Sequence, residues 1–232
     1  MSDLVLVTFD IDGTILKSPS GCEVHSEAIK SAAVEICGLS KDINIRDYIG
    51  VSFAGRTDSF LTDVVLRKSI GDYEKSQWND FRMKECEEFR KNLIRPGDVL
   101  PGVPKMIEEL SKIPYVRLAL CTGNYEPIAW RKLESASVDH YFKNSVGGFG
   151  EHMERVDILR DAIRKAEDHY NCKFSKIVHI GDAIQDVTSA QQVGAQAVAV
   201  ETGGLKREDY PQPCLIVENL EKGFEQVLEL VK

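Results

Sequence analysis

Polar residues that could do chemistry follow three separate apolar segments of this sequence, at the point where each segment ends. They are Asp10 and Asp12 after residues 4–9, Thr122, Gly123 and Asn124 after residues 115–121, and Asp182 and Asp186 after residues 176–180. Any one group could be an ordinary turn or helix cap, because Asp, Asn and Gly favour both. In an open parallel sheet, however, the carboxyl ends of the strands lie at one edge, where ligands bind. Three such groups therefore predict one shared site.

The residue types in these groups suit reactions at phosphorus. A carboxylate can attack phosphorus and form an aspartyl-phosphate, which divides one difficult step into two. A second carboxylate can protonate the leaving oxygen and later activate water. Crowded carboxylates repel one another and attract a hard dication, and Mg2+ prefers oxygen ligands. Backbone N–H groups and a hydroxyl at the turns can hold the remaining phosphate oxygens.

Alternating apolar strands and amphipathic helices predict the elements that bring these groups together. Strands are expected at 4–9, 115–121, 144–146, 176–180, 196–200 and 214–217, and helices at 103–111, 127–135, 154–170, 184–193 and 219–231, the last capped by Asn219. Residues 147–150, Gly-Gly-Phe-Gly, are interpreted as a turn after a strand. Such alternation with short connections is typical of a parallel sheet with helices on both faces. The expected fold class is α/β, with a doubly wound parallel sheet.

A long segment near the amino terminus follows a different, strand-poor pattern. Helical spacing of apolar residues predicts helices at 25–37, 57–68 and 73–93. Pro19 on one side and Pro96-Gly97 on the other are plausible linkers. We therefore expect an α-helical domain at 17–96, inserted into an α/β core made of 1–16 and 97–232.

Composition excludes several classes of partner. The chain has 232 residues and a net charge of −8, with no long basic run, so nucleic acid and anionic membranes are not expected to bind. The apolar run after Met1 is interpreted as a strand and not as a signal peptide, and no run is long enough to span a bilayer. The six cysteines are scattered without a C-x-x-C pair, which favours a reduced, cytoplasmic interior over disulfides or a zinc site.

Two of the polar groups carry a family resemblance. Asp10-Ile11-Asp12-Gly13-Thr14 resembles motif I of the haloacid dehalogenase-like (HAD) hydrolase superfamily in its phosphatase form, and Gly181-Asp182 with Asp186 resembles motif IV. The resemblance implies that Asp10 is the nucleophile and a metal ligand. It implies that Asp12 is the general acid and base and lends its backbone carbonyl to the metal. The Thr14 hydroxyl closes the motif and is expected to be structural.

The remaining motifs supply further expectations from the same resemblance. Thr122 stands at the end of motif II and would bind the phosphoryl group, assisted by the amides of Gly123 and Asn124. Asp182 resembles the metal ligand of motif IV, and Asp186 a further ligand or a carboxylate just behind it. The cation of motif III is assigned to Arg155, with Lys143 as the alternative.

The helical insertion stands where this superfamily places a type C1 cap, as in its phosphoglycolate-phosphatase-like members. The segment Gly55-Arg56-Thr57-Asp58 resembles one that faces the active site in such relatives. Arg56 would then meet the distal anion or the phosphate of the substrate, unless it simply faces solvent.

The resulting hypothesis is a Mg2+-dependent phosphatase that acts on a small phosphorylated metabolite, as a monomer or homodimer. A phosphomutase of the β-phosphoglucomutase type is the alternative within the resemblance. A non-catalytic phosphate-binding or regulatory protein on the same scaffold is the alternative of another class. Dehalogenase chemistry is disfavoured, because it has no use for an acid and base at Asp12.

Overall fold

One parallel sheet forms the centre of the fold. The computed structural model describes residues 4–17, 19–91, 99–142 and 146–232, with the backbone alone for 19–22. Within these residues six parallel strands have the order β3-β2-β1-β4-β5-β6. Their bounds are β1 Leu4–Phe9, β2 Val116–Cys121, β3 Gly147–Gly148, β4 Phe174–Gly181, β5 Gln196–Val200 and β6 Leu215–Val217. The expected α/β class and doubly wound parallel sheet are confirmed.

The strand order places β1 beside β4 at the centre of the sheet. Val7 is opposite Leu118 of β2 and Val178 of β4, so β1 is paired along both edges. The chain leaves β1 toward β2 and β3 on one side and returns to β4 on the other. Ligands of doubly wound sheets bind at such a reversal point, outside the carboxyl ends of the strands. Asp10 and Asp182 follow the two strands that flank it.

Helices cover both faces of this sheet. They are α5 Val103–Lys112, α6 Glu126–Ser135, α7 Arg155–Tyr170, α8 Ile184–Gln192 and α9 Phe224–Val231. Apolar residues of α5, α6 and α9 share one buried cluster with the sheet, and those of α7 and α8 share another. Because both faces are buried, the central strand has an apolar run instead of alternating polar and apolar residues. Leu6, Val7 and Phe9 are completely buried.

Four further helices pack mainly on one another between β1 and α5. They are α1 Pro19–Cys37, α2 Ile45–Ile49, α3 Asp58–Ile70 and α4 Lys75–Lys91. Ile29, Leu61, Val65 and Phe81 belong to a buried apolar cluster of this α1–α4 region. Helix α1 begins at Pro19, ahead of the expected start at residue 25. The division of the chain at 16/17 and 96/97 stays a prediction, and Pro96-Gly97 lies outside the described residues.

Two expectations on local structure were wrong. Gly147 and Gly148 form strand β3, whereas a turn after a strand was expected. A β-carbon on Gly147 would crowd Leu120, and one on Gly148 would overlap the Ile158 backbone. The two glycines therefore allow β3 to pack closely against β2 and α7. The predicted strand at 144–146 lies mostly outside the described residues. The last helix begins at Phe224, because the Asn219 side chain closes a separate turn by accepting from the N–H groups of Glu221 and Lys222.

No helix among the described residues is both long enough and apolar enough to cross a membrane.

Candidate active site

A sharp turn after β1 places the first two carboxylates. The Asp10 N–H donates to Ile180 O at 3.0 Å and so continues the pairing of β1 with β4 beyond the strand. Gly13 then has a φ of +81°, which L side chains rarely adopt, and its N–H donates to Leu16 O at 2.7 Å. A β-carbon at Gly13 would overlap the carboxylate of Asp182. The glycine therefore lets the turn lie directly against the end of β4.

Three carboxylates converge at the centre of the sheet edge. Asp10, Asp182 and Asp186 each offer an oxygen, and these oxygens lie within 4.8 Å of one another. Thr14 Oγ1 donates to Asp182 Oδ1 at 3.3 Å, and the structural role expected for Thr14 stays a prediction. On the far side of Asp182 lies Gly203, where a β-carbon would also overlap the carboxylate. Gly203 was not predicted as a site residue, because it belongs to none of the motifs.

Crowding and burial disfavour the charged forms of two of these carboxylates. Burial raises the pKa of Asp10 to about 6, with the charges of Asp186 and Asp12 adding to the effect and Arg155 opposing it. Burial, with the charges of Asp10 and Asp186, raises the pKa of Asp182 well above its ordinary value. The single positive charge of the Arg155 guanidinium does not balance the negative charges of three ionised carboxylates. The donor set is therefore suited to a divalent cation with a preference for carboxylate oxygens, such as Mg2+.

Arg155 enters this cluster from the first turn of α7. It is 7% exposed, its Nη2 lies 3.3 Å from Asp10 Oδ1, and it pairs closely with Asp186 Oδ1. Asp186 also faces His179 Nε2 at 3.3 Å and accepts from the Ala183 N–H at 2.9 Å. Burial alone would raise the pKa of Asp186, but Arg155 and His179 hold this pKa well below its ordinary value. Asp186 thus orients Arg155 toward Asp10.

Lys143, the alternative to Arg155, lies outside the described residues. The assignment of motif III to Arg155 stays a prediction, but the Arg155 guanidinium does face Asp10.

The second carboxylate of motif I belongs to a separate hydrogen-bonded group. Asn124 Nδ2 donates to Asp12 Oδ2 at 2.8 Å and to Thr122 Oγ1 at 2.8 Å. Lys132 Nζ donates to Asp12 Oδ2 at 2.6 Å and to Asn124 Oδ1 at 2.7 Å. Burial alone would raise the pKa of Asp12, but the charge of Lys132 and the hydrogen bonds from Lys132 and Asn124 lower this pKa below its ordinary value. The Asn124 side chain thus holds Asp12, and the expected role of the Asn124 backbone N–H in binding a phosphoryl group stays a prediction.

Lys132 was not predicted as a site residue, although its position in the sequence indicates that it has a buried partner. It lies on α6 four residues after Ile128 and next to Leu133, on the buried face of the helix. A lysine is almost never fully buried unless it is paired, so a lysine on an apolar helix face indicates a partner. Lys132 is 2% exposed.

The motif II residues lie under the α1–α4 region. Thr122 is completely buried, and its hydroxyl accepts from Asn124 instead of facing open space. The Asp58 N–H donates to Gly123 O at 2.8 Å, and a β-carbon at Gly123 would overlap the Arg56 carbonyl. Gly123 thus lets the start of α3 approach the sheet edge closely.

A cavity of about 240 Å3 lies between the sheet edge and the α1–α4 region. From the sheet side it is lined by Asp10, Asp12, Gly123, Asn124, Lys132, Arg155, Asp182 and Gly203. From the other side it is lined by His25, residues 52–56, Arg46, Asp58 and Leu61. Arg56 is exposed, with its guanidinium 4.7 Å from the centre of the Phe60 ring. All site residues predicted from the sequence, except Thr122 and Asp186, therefore border one cavity, and those two lie behind its lining.

Known hydrolases resemble this chain along most of its length. A model of haloacid dehalogenase-like hydrolases matches residues 4–194. A phosphoglycolate phosphatase of Vibrio parahaemolyticus is 23% identical over 210 residues, which are 87% of this chain and 85% of the relative. A crystal structure of a predicted phosphoglycolate phosphatase from Haemophilus somnus has 16% identity and a TM-score of 0.67 over 98% of this chain and 99% of the other. A β-phosphoglucomutase structure from Clostridium difficile has 15% identity and a TM-score of 0.69 over 100% and 97%. The chain belongs to the haloacid dehalogenase-like hydrolase family, as an enzyme of the phosphatase type.

Proposed function

We propose that this enzyme is a Mg2+-dependent phosphatase that hydrolyses a small phosphorylated metabolite through an aspartyl-phosphate on Asp10. The observation that carries the proposal is the meeting of Asp10, Asp182 and Asp186 within 4.8 Å, with Arg155 Nη2 3.3 Å from Asp10. It combines a nucleophile, a metal-ligand set and a fixed cation at one point. The relatives named phosphoglycolate phosphatase support a small phosphorylated substrate.

Asp10 and Asp182 would hold the metal ion, with the Asp12 backbone carbonyl as a further ligand and Asp186 as another ligand or as a carboxylate just behind the ligands. When bound, Mg2+ would neutralise the repulsion between the Asp10 carboxylate and the charged phosphoryl group. Because burial and like charges raise the pKa values of Asp10 and Asp182, a cation is needed to keep both ionised in the buried site.

In the first step, a carboxylate oxygen of Asp10 attacks phosphorus. An O–P bond forms, and the bond from phosphorus to the leaving oxygen breaks. Protonated Asp12 gives its proton to the leaving oxygen, so that a neutral alcohol departs. Arg155 faces Asp10 and is positioned to bind the equatorial phosphate oxygens as the charge redistributes.

In the second step, water attacks the phosphorus of the aspartyl-phosphate. Ionised Asp12 accepts the proton of that water, and the carboxylate of Asp10 is released together with inorganic phosphate. Lys132 and Asn124 hold Asp12 Oδ2 from two sides and favour its ionised form. We infer that they orient Asp12 toward the reacting oxygen and prepare it for this second step.

The α1–α4 region would act as the cap, within a domain at 17–96, over a core made of 1–16 and 97–232. Several contacts join it to the sheet edge, among them Asp58 N–H to Gly123 O at 2.8 Å, Ser59 N–H to Gly150 O at 3.1 Å, and Arg82 Nη2 to Glu151 Oε1 at 2.5 Å. A closed cap excludes bulk water from the cavity until the substrate has bound. A monomeric or homodimeric state and a cytoplasmic location stay predictions.

A phosphomutase of the β-phosphoglucomutase type remains the second candidate, favoured by the likeness in fold to the Clostridium difficile structure. A mutase returns the phosphoryl group from the aspartate to a sugar hydroxyl instead of losing it to water. Product analysis with a sugar 1-phosphate separates the two activities. Release of inorganic phosphate supports the phosphatase, and accumulation of sugar 6-phosphate overturns it.

The central test compares the wild type with Asp10→Asn on an aryl phosphate. With Mg2+ we expect kcat of the variant to fall at least about a thousand-fold, and chelation with EDTA to abolish wild-type activity. Asp72→Asn changes an exposed carboxylate in the turn after α3 and serves as the matched control, with unchanged activity. Full activity of Asp10→Asn would contradict the nucleophile, and full activity in EDTA would contradict the metal.

A further inference from the structure

The segment after β5, residues 201–210, borders the carboxylates from a side that none of the motifs occupies. It contains two short 3-10 turns, Glu201–Gly203 and Arg207–Asp209. Two of its side chains, Thr202 and Tyr210, carry hydroxyl groups that reach the two turns on which the metal-ligand candidates stand. The segment therefore brings the end of a further strand to the site.

The Tyr210 hydroxyl holds the backbone of Asp182. The pairing of β4 with β5 ends at Gly181 and Ala199, and Asp182 and Val200 are the next residues of the two chains. The Tyr210 hydroxyl lies 2.8 Å from Asp182 O and 3.0 Å from Val200 O. Two carbonyl oxygens cannot bond to each other, but a phenol O–H is a donor that both can share. Tyr210 thus joins the ends of β4 and β5 where the Asp182 side chain leaves the sheet.

The ring of Tyr210 is itself fixed. Tyr210 is 3% exposed and belongs to the buried cluster that α7 and α8 share with the sheet, together with Ala199 and Ile216. Burial, with the charge of Asp182, raises the pKa of Tyr210 above its ordinary value, so the hydroxyl keeps its proton and stays a donor. A buried tyrosine hydroxyl needs a partner, and here the partner is the backbone of a site residue.

Thr202 holds the other turn. Its Oγ1 donates to Gly13 O in a short hydrogen bond. Gly13 follows Asp12, whose backbone carbonyl is a proposed metal ligand, so this bond fixes the turn of motif I from outside the motif. Thr202 and Tyr210 therefore act on two different turns of the same site.

The Asp182 carboxylate lies between these two turns. A β-carbon at Gly13 would overlap it from one side, and a β-carbon at Gly203, next to Thr202, would overlap it from the other. Its position therefore depends on the distance between the motif I turn and the 201–210 segment. The bond from Thr202 to Gly13 sets that distance.

We propose that Tyr210 and Thr202 are positioning residues of the metal site, which keep Asp182 and the motif I turn at the spacing that a divalent cation requires. Mg2+ demands nearly ideal octahedral geometry with short bonds to oxygen, so small displacements of its ligands lower its affinity. The inference rests on the proposed function, and it goes beyond it by assigning part of the metal affinity to residues outside the motifs.

The test measures metal binding directly, without substrate. Mn2+ is the probe, because it prefers the same oxygen ligands as Mg2+ and because the free ion can be counted by electron paramagnetic resonance. The wild type should bind one ion that Asp182→Asn does not bind. Tyr210→Phe and Thr202→Val remove the two hydroxyl groups and nearly keep the side-chain shapes. Each should raise the Kd for Mn2+ about ten-fold, as is typical for residues that orient a metal ligand.

The same titration separates positioning from loss of structure. Partial unfolding lowers the number of ions bound per chain, whereas displaced ligands raise the Kd and leave that number unchanged. Thr202→Ser keeps the hydroxyl and should bind Mn2+ like the wild type. If it binds as weakly as Thr202→Val, the Thr202 hydroxyl is not responsible and its role is overturned.

Matched controls remove hydroxyl groups that bond elsewhere. Tyr73→Phe removes the hydroxyl that donates to Asp63, on the far end of α3, and Thr188→Val removes one that donates to Gln185 O within α8. Both controls should bind Mn2+ with the Kd of the wild type.

The inference is overturned if Tyr210→Phe and Thr202→Val bind Mn2+ as tightly as the wild type, or if only the number of bound ions falls. A wild type that binds no Mn2+, or an Asp182→Asn variant that binds it equally well, would instead overturn the metal site of the proposed function. The two failures are thus distinguishable.

Discussion

The ammonium of Lys132 lies 2.6 Å from Asp12 Oδ2, although the two residues are 120 positions apart in the chain. Lys132 is 2% exposed, and the Asp12 side chain is 27% exposed in the cavity. A buried cation is thus paired with the carboxylate proposed as acid and base. This pair links helix α6 to the turn after β1, and it does so on the leaving-group side of the site.

The first prediction concerns this pair. Lys132→Met keeps the length of the side chain and removes the charge and the donor. A charge-assisted hydrogen bond contributes about 1.5–3 kcal/mol, so kcat/KM for an aryl phosphate should fall about ten- to a hundred-fold. Lys222→Met removes an exposed lysine that pairs with Glu218 and should leave the rate unchanged. Equal rates for Lys132→Met and the wild type would show that Asp12 needs no such partner.

The second prediction concerns the turn glycine of motif I. Gly13→Ala and Gly38→Ala each force alanine into a left-handed conformation, at φ values of +81° and +69°, which costs about 1–2 kcal/mol. Only at Gly13 would the new β-carbon overlap the Asp182 carboxylate; no other atom lies within 4 Å of one at Gly38. Gly13→Ala should lose at least as much stability in urea as Gly38→Ala, and only Gly13→Ala should require a higher Mg2+ concentration for half-maximal activity. An unchanged Mg2+ requirement of Gly13→Ala would show that Gly13 does not influence the metal site.

The third prediction concerns pH and the buried pair of His25 and Glu85. Burial, aided by the charge of Asp58, raises the pKa of Glu85 from 4.5 to about 7 in the folded protein. The folded state therefore holds this proton more tightly than the unfolded state does. The corresponding stability is fully present below pH 4.5 and is lost as the pH rises to about 7, by at most about 1.4 kcal/mol per pH unit.

Glu85→Gln resembles the protonated form and removes this dependence. Relative to the wild type, the variant should become progressively more stable between pH 5 and pH 8, as measured by urea unfolding at several pH values. Glu87→Gln, on the exposed face of the same helix, should show no such trend. A difference between Glu85→Gln and the wild type that is independent of pH would contradict the raised pKa.

The sequence predicted the sheet and the meeting of carboxylates at its edge, for a physical reason. The apolar run from Leu4 to Phe9 is typical of a central strand, and Asp10 and Gly13 after it predict a turn at the ligand-binding edge. Strand β5 has the expected bounds at both ends. The predicted bounds of helices and strands were wrong where one side chain or one backbone contact decides them. Asn219 caps a separate turn and not the last helix, and Gly148 belongs to a strand that packs against the backbone of α7.

The partners of the site residues were harder to predict. The motifs gave Asp10, Asp12 and Asp182, but Lys132, Gly203 and the buried His25 were not among the expected site residues. None of the three belongs to a recognised motif. Their positions depend on how α6, the segment after β5 and α1 pack against the sheet edge.

The sequence by itself determined the parallel sheet, the place of the carboxylates at its edge and the family, because the alternation of apolar strands and helices is a local property and the motifs are short. Tertiary structure decided which cation faces which carboxylate: Arg155 faces Asp10, Lys132 faces Asp12 and His25 faces Asp58. These choices depend on contacts between residues far apart in the chain. Pairing energies are set by burial and distance, which no short stretch of sequence specifies.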